Sequence, residues 1–190
     1  MNLEYPVCRI MGAMAVEFDI AVRILDPAWR RTWPKAIDHV RRAARTALDV
    51  IASGPTAEKG PAIELAIVLA GDDEVRRLNR DYRGIDKSTN VLSFGDASDG
   101  RRRARGEPVI LGDVVLARET VAEEAAAQGK SIADHSLHLV IHGILHLLGH
   151  VHESDREADA MEALEIDLLA RLGVANPYAV RAGRRARRQV

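Results

Sequence analysis

Polar and apolar positions along the chain recur with periods that switch between two and about three and a half residues, and the switches mark out its elements. Residues 16 to 25 (VEFDIAVRIL) alternate well enough to predict a first strand, closed by Asp26-Pro27. From Trp33-Pro34 to about Ser53, Ile37, Val40, Ala44, Leu48 and Ile51 recur at helical spacing, and Gly54-Pro55 stops that helix. The near-continuous apolar run from Ala62 to Ala70 suits a strand covered on both faces. Gly71-Asp72 then opens a short helix in which Val75, Leu78 and Tyr82 share a face. Residues 91 to 94 (VLSF) read as a brief strand, followed by the turn-rich loop GDASDGRRRARGEP and a strand over 109 to 117. A helix over 118 to 128 ends near Gly129, and a long apolar helix runs from about Ile132 to Leu148 before Gly149 breaks it. A last helix spans about Ser154 to Leu172, with Gly173 and Pro177 beyond. The expected fold is α+β, a single domain with a small mixed four-stranded sheet packed with about five helices. The expected boundaries are an N-terminal extension at 1–15, the folded domain at 16–175 and a basic tail at 176–190.

Composition narrows this picture. A chain of 190 residues with 47% hydrophobic and 29% charged positions suits one core beneath a charged surface. Two Phe, two Trp and three Tyr are too few to build rows of base-stacking aromatics, which argues against an RRM-like or OB-like RNA platform. Cys8 is the single cysteine, so an intramolecular disulfide and a Cys-rich zinc site are excluded. Glu4, Arg9 and Glu17 interrupt the N-terminus where an export signal wants positive charge and then an apolar run. No stretch reaches the roughly 18 consecutive apolar residues of a membrane helix, so the expected compartment is the cytoplasm. The net charge of −1 gives no global pull toward nucleic acid. Its basic residues are nevertheless clustered, at Arg101, Arg102, Arg103 and Arg105 and again from Arg181 to Arg188; each run reads first as a solvated loop or tail.

Chemistry concentrates in HGILHLLGHVH. His142 and His146 stand four residues apart on the long helix, so both imidazoles project from one face toward a common point. Catalytic zinc takes three protein ligands and keeps one position open. Gly149 can end the helix in a left-handed conformation and turn the chain so that His152 reaches the same ion, giving H-x3-H-x5-H. His138 and His150 continue the stripe and compete for ligation, with His135 nearby; packing or a hydrogen bond that orients a ligand is their other reading. In zinc proteases of the H-E-x-x-H type the residue after the first histidine is the general base, and here it is Gly143. A metalloprotease is therefore disfavoured. A purely structural zinc normally recruits a fourth protein ligand, and no cysteine lies near to supply it.

Three segments together resemble the YbeY endoribonuclease family: LNRDYRGIDKSTNVLSF at 78–94, LGDVVLA at 111–117 and HGILHLLGHVHESDREADAMEALE at 142–165. They occur in the family's order, and the resemblance spans about Val16 to Leu172. It implies one zinc ion on His142, His146 and His152, and cleavage of single-stranded RNA in 16S ribosomal RNA maturation and ribosome quality control. It also implies contact with the small ribosomal subunit and its assembly factors, including a GTPase, with no DNA and no membrane. The family's arginine before TNVLSF falls on Arg83, a candidate bidentate clamp on phosphate, with Lys87 as a second RNA contact. The family usually carries Asp where this chain has Val151, which removes a possible acceptor beside the third histidine. Attack by water and attack by the substrate's own 2′-OH both fit the motif, and no carboxylate is placed as general base. Asp113, polar within an apolar strand, either caps a ladder or hydrogen-bonds a site histidine, and Thr89, Asn90 and Ser93 read as turn and strand-end hydrogen bonders. The rival from another class is a ribosome-assembly RNA-binding factor whose zinc merely orders the fold.

Overall fold

The computed structural model describes residues 14–15, 17–52, 58–59, 62–95, 107–150 and 154–179. Met14–Ala15 (β1) pairs in parallel with Glu58–Lys59 (β3), a two-residue ladder beside the main sheet. Phe18–Ile24 (β2) is the strand predicted from alternation. Asp26 then accepts from the Ala28 amide at 2.9 Å and starts a helix absent from the sequence reading, Ala28–Thr32 (α1). Five residues are too few to display a helical period, yet the buried Trp29 ring secures the turn by donating from Nε1 to the Ala70 carbonyl at 2.8 Å. Ala36–Ala52 (α2) follows and buries Val40, Ala44 and Leu48 as its pattern predicts.

Ile63–Ala70 (β4) lies in the middle of the sheet, with Ile63, Leu65, Ile67 and Leu69 buried and Glu64, Ala66 and Val68 half-covered on the other face. Asp72–Arg83 (α3), Val91–Gly95 (β5), Val109–Ala117 (β6), Arg118–Gln128 (α4), Ile132–Leu147 (α5) and Asp155–Arg171 (α6) complete the order. The strands run β2-β4-β6-β5, parallel except for the antiparallel β5–β6 pair. The mixed four-stranded sheet expected from sequence is therefore present, and six helices surround it among the described residues.

Successive side chains on a strand face opposite sides, and that alternation divides the core. Ile67, Leu69, Val114 and Leu116 face the layer of α2, α5 and α6, whereas Ala70, Leu92 and Val115 face Val75 of α3. A bulge between Glu64 and Leu65 admits one extra residue on β6 at Leu111, and Gly112 takes φ 134° there. A Cβ at Gly112 would lie 2.1 Å from the Phe94 carbonyl oxygen, so only glycine fits. The N-termini of α3 and α4 cap one another. The Thr120 amide and hydroxyl donate to Asp72 at 3.0 and 2.7 Å, and the Asp72 amide donates to Glu119 at 2.9 Å.

Helix α5 is central. Ser131 caps it through the Asp134 amide at 3.0 Å, and Leu139, Val140, Ile141, Ile144 and Leu145 are buried along it. Each such side chain contributes roughly 1.5–3 kcal/mol, enough to hold the helix while another stripe carries imidazoles. No helix among the described residues is long and apolar enough to cross a membrane.

Candidate metal centre

Four histidines of α5, His135, His138, His142 and His146, follow one another along a single stripe, with neighbouring ring centroids 6.3, 6.4 and 4.5 Å apart. At its C-terminal end the Nε2 atoms of His142 and His146 face each other at 3.0 Å. Two donors on one tetrahedral zinc, each about 2 Å from the ion, stand roughly 3.3 Å apart. Helix α5 thus presents the pair at close to the separation a single ion requires.

The reverse side of His142 is fixed by a residue the sequence reading did not single out. Glu165 of α6 is buried, and its Oε1 accepts from His142 Nδ1 at 2.7 Å. Its Oε2 accepts from His138 Nε2 at 3.1 Å and from the Tyr178 hydroxyl. Burial pushes the Glu165 carboxyl up, but these three hydrogen bonds outweigh it and hold the group at about 2, so it is ionised. An ionised carboxylate only accepts, so the His142 proton sits on Nδ1 and the Nε2 lone pair points toward His146. This is how metal-ligating histidines are oriented. The signal in the sequence was present: Met161, Glu165, Leu168 and Leu172 share one helical stripe, and Glu165 is its single charge.

The close approach of α5 to the sheet rests on Gly143. A Cβ there would meet Ser93 Oγ and Val114 Cγ1, each at 2.8 Å, and Ser93 Oγ donates to the Gly143 carbonyl at 3.2 Å. A glutamate at this position has no room, which gives the departure from H-E-x-x-H a packing cause. Gly149 is left-handed at φ 87°, as its place after the helix predicts, and the His150 amide returns to the Leu145 carbonyl at 3.0 Å. The chain therefore turns back at Gly149 and His150. His152 and Val151 lie outside the described residues, as do Arg101 to Arg105 and Arg181 to Arg188. Among the described residues no group of three or more His, Cys, Asp or Glu side chains converges as ligands.

The other candidates are spread around this pair. His138 turns its Nε2 toward Glu165 and Tyr178, and the His135 Nε2 meets Glu124 Oε2 at 2.8 Å. Burial lowers the pKa of both His135, against the pull of Glu124, and the half-buried His150. Asn90 donates to both Glu124 oxygens, at 3.2 and 2.9 Å. Asp113 is exposed on β6, and Thr89 is half-buried in the turn before β5. Arg83 is exposed in the last turn of α3, the helix packed on the sheet face opposite α5, and Lys87 is exposed in the loop that leads to β5. Beside His142 a cavity of about 660 Å³ opens between α4, α5 and the Pro177-Tyr178 segment.

Comparison with known proteins adds an independent line. Residues 30–173 match the family model described as endoribonuclease YbeY. A protein of that name from Paramagnetospirillum magneticum is 50% identical over 166 residues, covering 87% of this chain and 98% of the relative. Another, from Sphingopyxis alaskensis, is 48% identical over 154 residues, covering 77% and 92%. The solution structure of a Thermotoga maritima protein aligns with a TM-score of 0.54 at 21% identity, over 81% of this chain and 89% of that one, a likeness of fold.

Proposed function

The chain belongs to the endoribonuclease YbeY family, and from that premise we propose that it is a zinc-dependent endoribonuclease specific for single-stranded RNA. Its task is maturation of ribosomal RNA, at the 3′ end of 16S RNA, together with ribosome quality control. The setting is the cytoplasm, and the partners are the small ribosomal subunit and its assembly factors. The catalytic unit is the domain at 16–175, flanked by the extension at 1–15 and the basic tail at 176–190.

One observation carries this reading: two imidazole nitrogens 3.0 Å apart, one of them aimed by a buried, ionised carboxylate. His142, His146 and His152 would hold the zinc, which when bound supplies Lewis-acid polarisation of the phosphodiester and activation of the attacking oxygen. Glu165 keeps the His142 ring in one tautomer and orientation. His138 and Tyr178 keep Glu165 charged. Arg83 and Lys87 bind the RNA backbone, and a planar guanidinium suits two phosphate oxygens at once. In α3 the neighbouring Arg76, Arg77 and Arg80 are tied to Asp86, Glu74 and Asp81, whereas Arg83 stands exposed at the helix end.

The test is cleavage of a single-stranded ribosomal RNA fragment and of its duplex by the zinc-loaded protein and by His146→Ala. The proposal expects cutting of the single strand alone, lost in the variant. Equal cutting by both proteins would contradict it. With Arg83→Ala, activity falls while zinc content and melting temperature hold; an unaffected rate would favour an RNA-binding assembly factor with a structural zinc. Placing a 2′-deoxy at the scissile nucleotide separates the two routes of attack, since unchanged cutting excludes the 2′-OH.

A further inference from the structure

We propose that the cavity beside His142 receives the base of a nucleotide adjoining the scissile phosphate, turned out of its stack. The inference takes its substrate from the endoribonuclease reading, although its first test needs no turnover. His142 is at once a wall of this cavity and half of the 3.0 Å histidine pair, so whatever fills the cavity lies one side chain from the reacting centre. A volume of about 660 Å³ falls within the roughly 300–1,000 Å³ of sites that enclose small molecules.

The lining decides which part of a nucleotide enters. Val91 and Leu139 offer apolar wall, while Asn90, Glu124, Gln128 and Tyr178 offer hydrogen-bonding groups. Charge disfavours phosphate: Glu124 lines the cavity, and the Glu165 carboxyl sits directly behind His138 and Tyr178. The cation of the lining, Lys130, is held by the Gln128 side-chain oxygen at 2.7 Å and by the Pro177 carbonyl at 2.9 Å. A neutral, flat group that carries N–H donors suits such a lining better than an anion does. Glu124 is also fixed in place to receive them. Asn90 bonds both of its oxygens and His135 bonds Oε2, which leaves acceptor capacity on Oε1, because a carboxylate has about four lone-pair sites. Extruding a base costs a few kcal/mol, and least when it is unpaired, so a cavity that demands extrusion selects single strands.

The zinc-loaded protein is titrated calorimetrically with adenosine 5′-monophosphate and with ribose 5-phosphate. The base is expected to tighten binding about tenfold. Ala127→Trp fills the cavity from an exposed position on α4 and should abolish that difference without changing zinc content. Ala127→Leu serves the same purpose if the tryptophan variant does not fold. A single-stranded oligoribonucleotide is then scanned with abasic sites: KM should rise about tenfold at one position in the wild type and at none in the cavity variant. Equal binding of the two probes, a preference that survives in the variant, or cleavage indifferent to every abasic site overturns the inference and leaves the ribonuclease reading intact. If no RNA is cut yet the monophosphate prefers the cavity, the pocket stands and the ribonuclease reading fails.

Discussion

Gly143 serves packing and chemistry together. Its missing side chain lets α5 approach Ser93 and Val114, and the same absence denies the site the glutamate a peptide hydrolase of this geometry uses. Gly143→Ala places a methyl group 2.8 Å from two atoms and should destabilise the fold by about 1–3 kcal/mol. Each kcal/mol lowers the melting temperature of a domain this size by about 2–4 °C, so calorimetry will register the change; an unaltered transition would mean that α5 is free to shift away. Glu165 acts through another residue. Glu165→Gln keeps the shape but not the charge that orders His142 Nδ1, and zinc affinity should fall about 10–100-fold in competition with a chromophoric chelator. Unchanged affinity would show that His142 is oriented by other means.

Among the elements, β6, α4 and α5 lie where the sequence places them: β6 shows as an apolar run, and α4 and α5 are each closed by a left-handed glycine, Gly129 and Gly149. Helix α1 was not legible, because its stability comes from Trp29 reaching Ala70 across the fold rather than from local pattern. The histidine pair was legible for the same reason as the helix: spacing of four is a local property. Glu165 was harder, being one acid on a helix with several, and its role depends on α6 crossing α5. Helix α5 also carries a pH signature at His135. Burial holds this imidazole below its ordinary value of about 6.5, against the pull of Glu124, so the fold disfavours its charged form. As pH falls below about 6.5 the unfolded chain binds a proton that the folded chain refuses; the stabilising contribution is present above that pH and is lost on acidification. Melting temperatures between about pH 7.5 and about pH 5.5 should therefore fall less steeply in His135→Gln than in the wild type. Parallel slopes would show that His135 is not the group responsible.

At the scale of the whole molecule, the sheet separates two sets of candidate groups. The histidines and Glu165 lie in the α2, α5 and α6 layer, and Arg83 ends the helix on the opposite face. No reading of periodicity foresaw that separation, because it follows from strand order, which the chain does not display locally. The loop from Gly84 to Asn90 joins the two sides, running from the end of α3 to the residue that holds Glu124. If RNA bound at Arg83 is cut at the histidines, as proposed, the loop and the edge strand β5 lie between the two contacts. All of this depends on one claim, that His142, His146 and His152 bind a single zinc ion. Its most direct test is the zinc content of the purified protein beside His142→Ala, His146→Ala and His152→Ala. The account predicts about one zinc per wild-type chain and its loss from each variant that still folds. Full zinc retained by any of the three would contradict it.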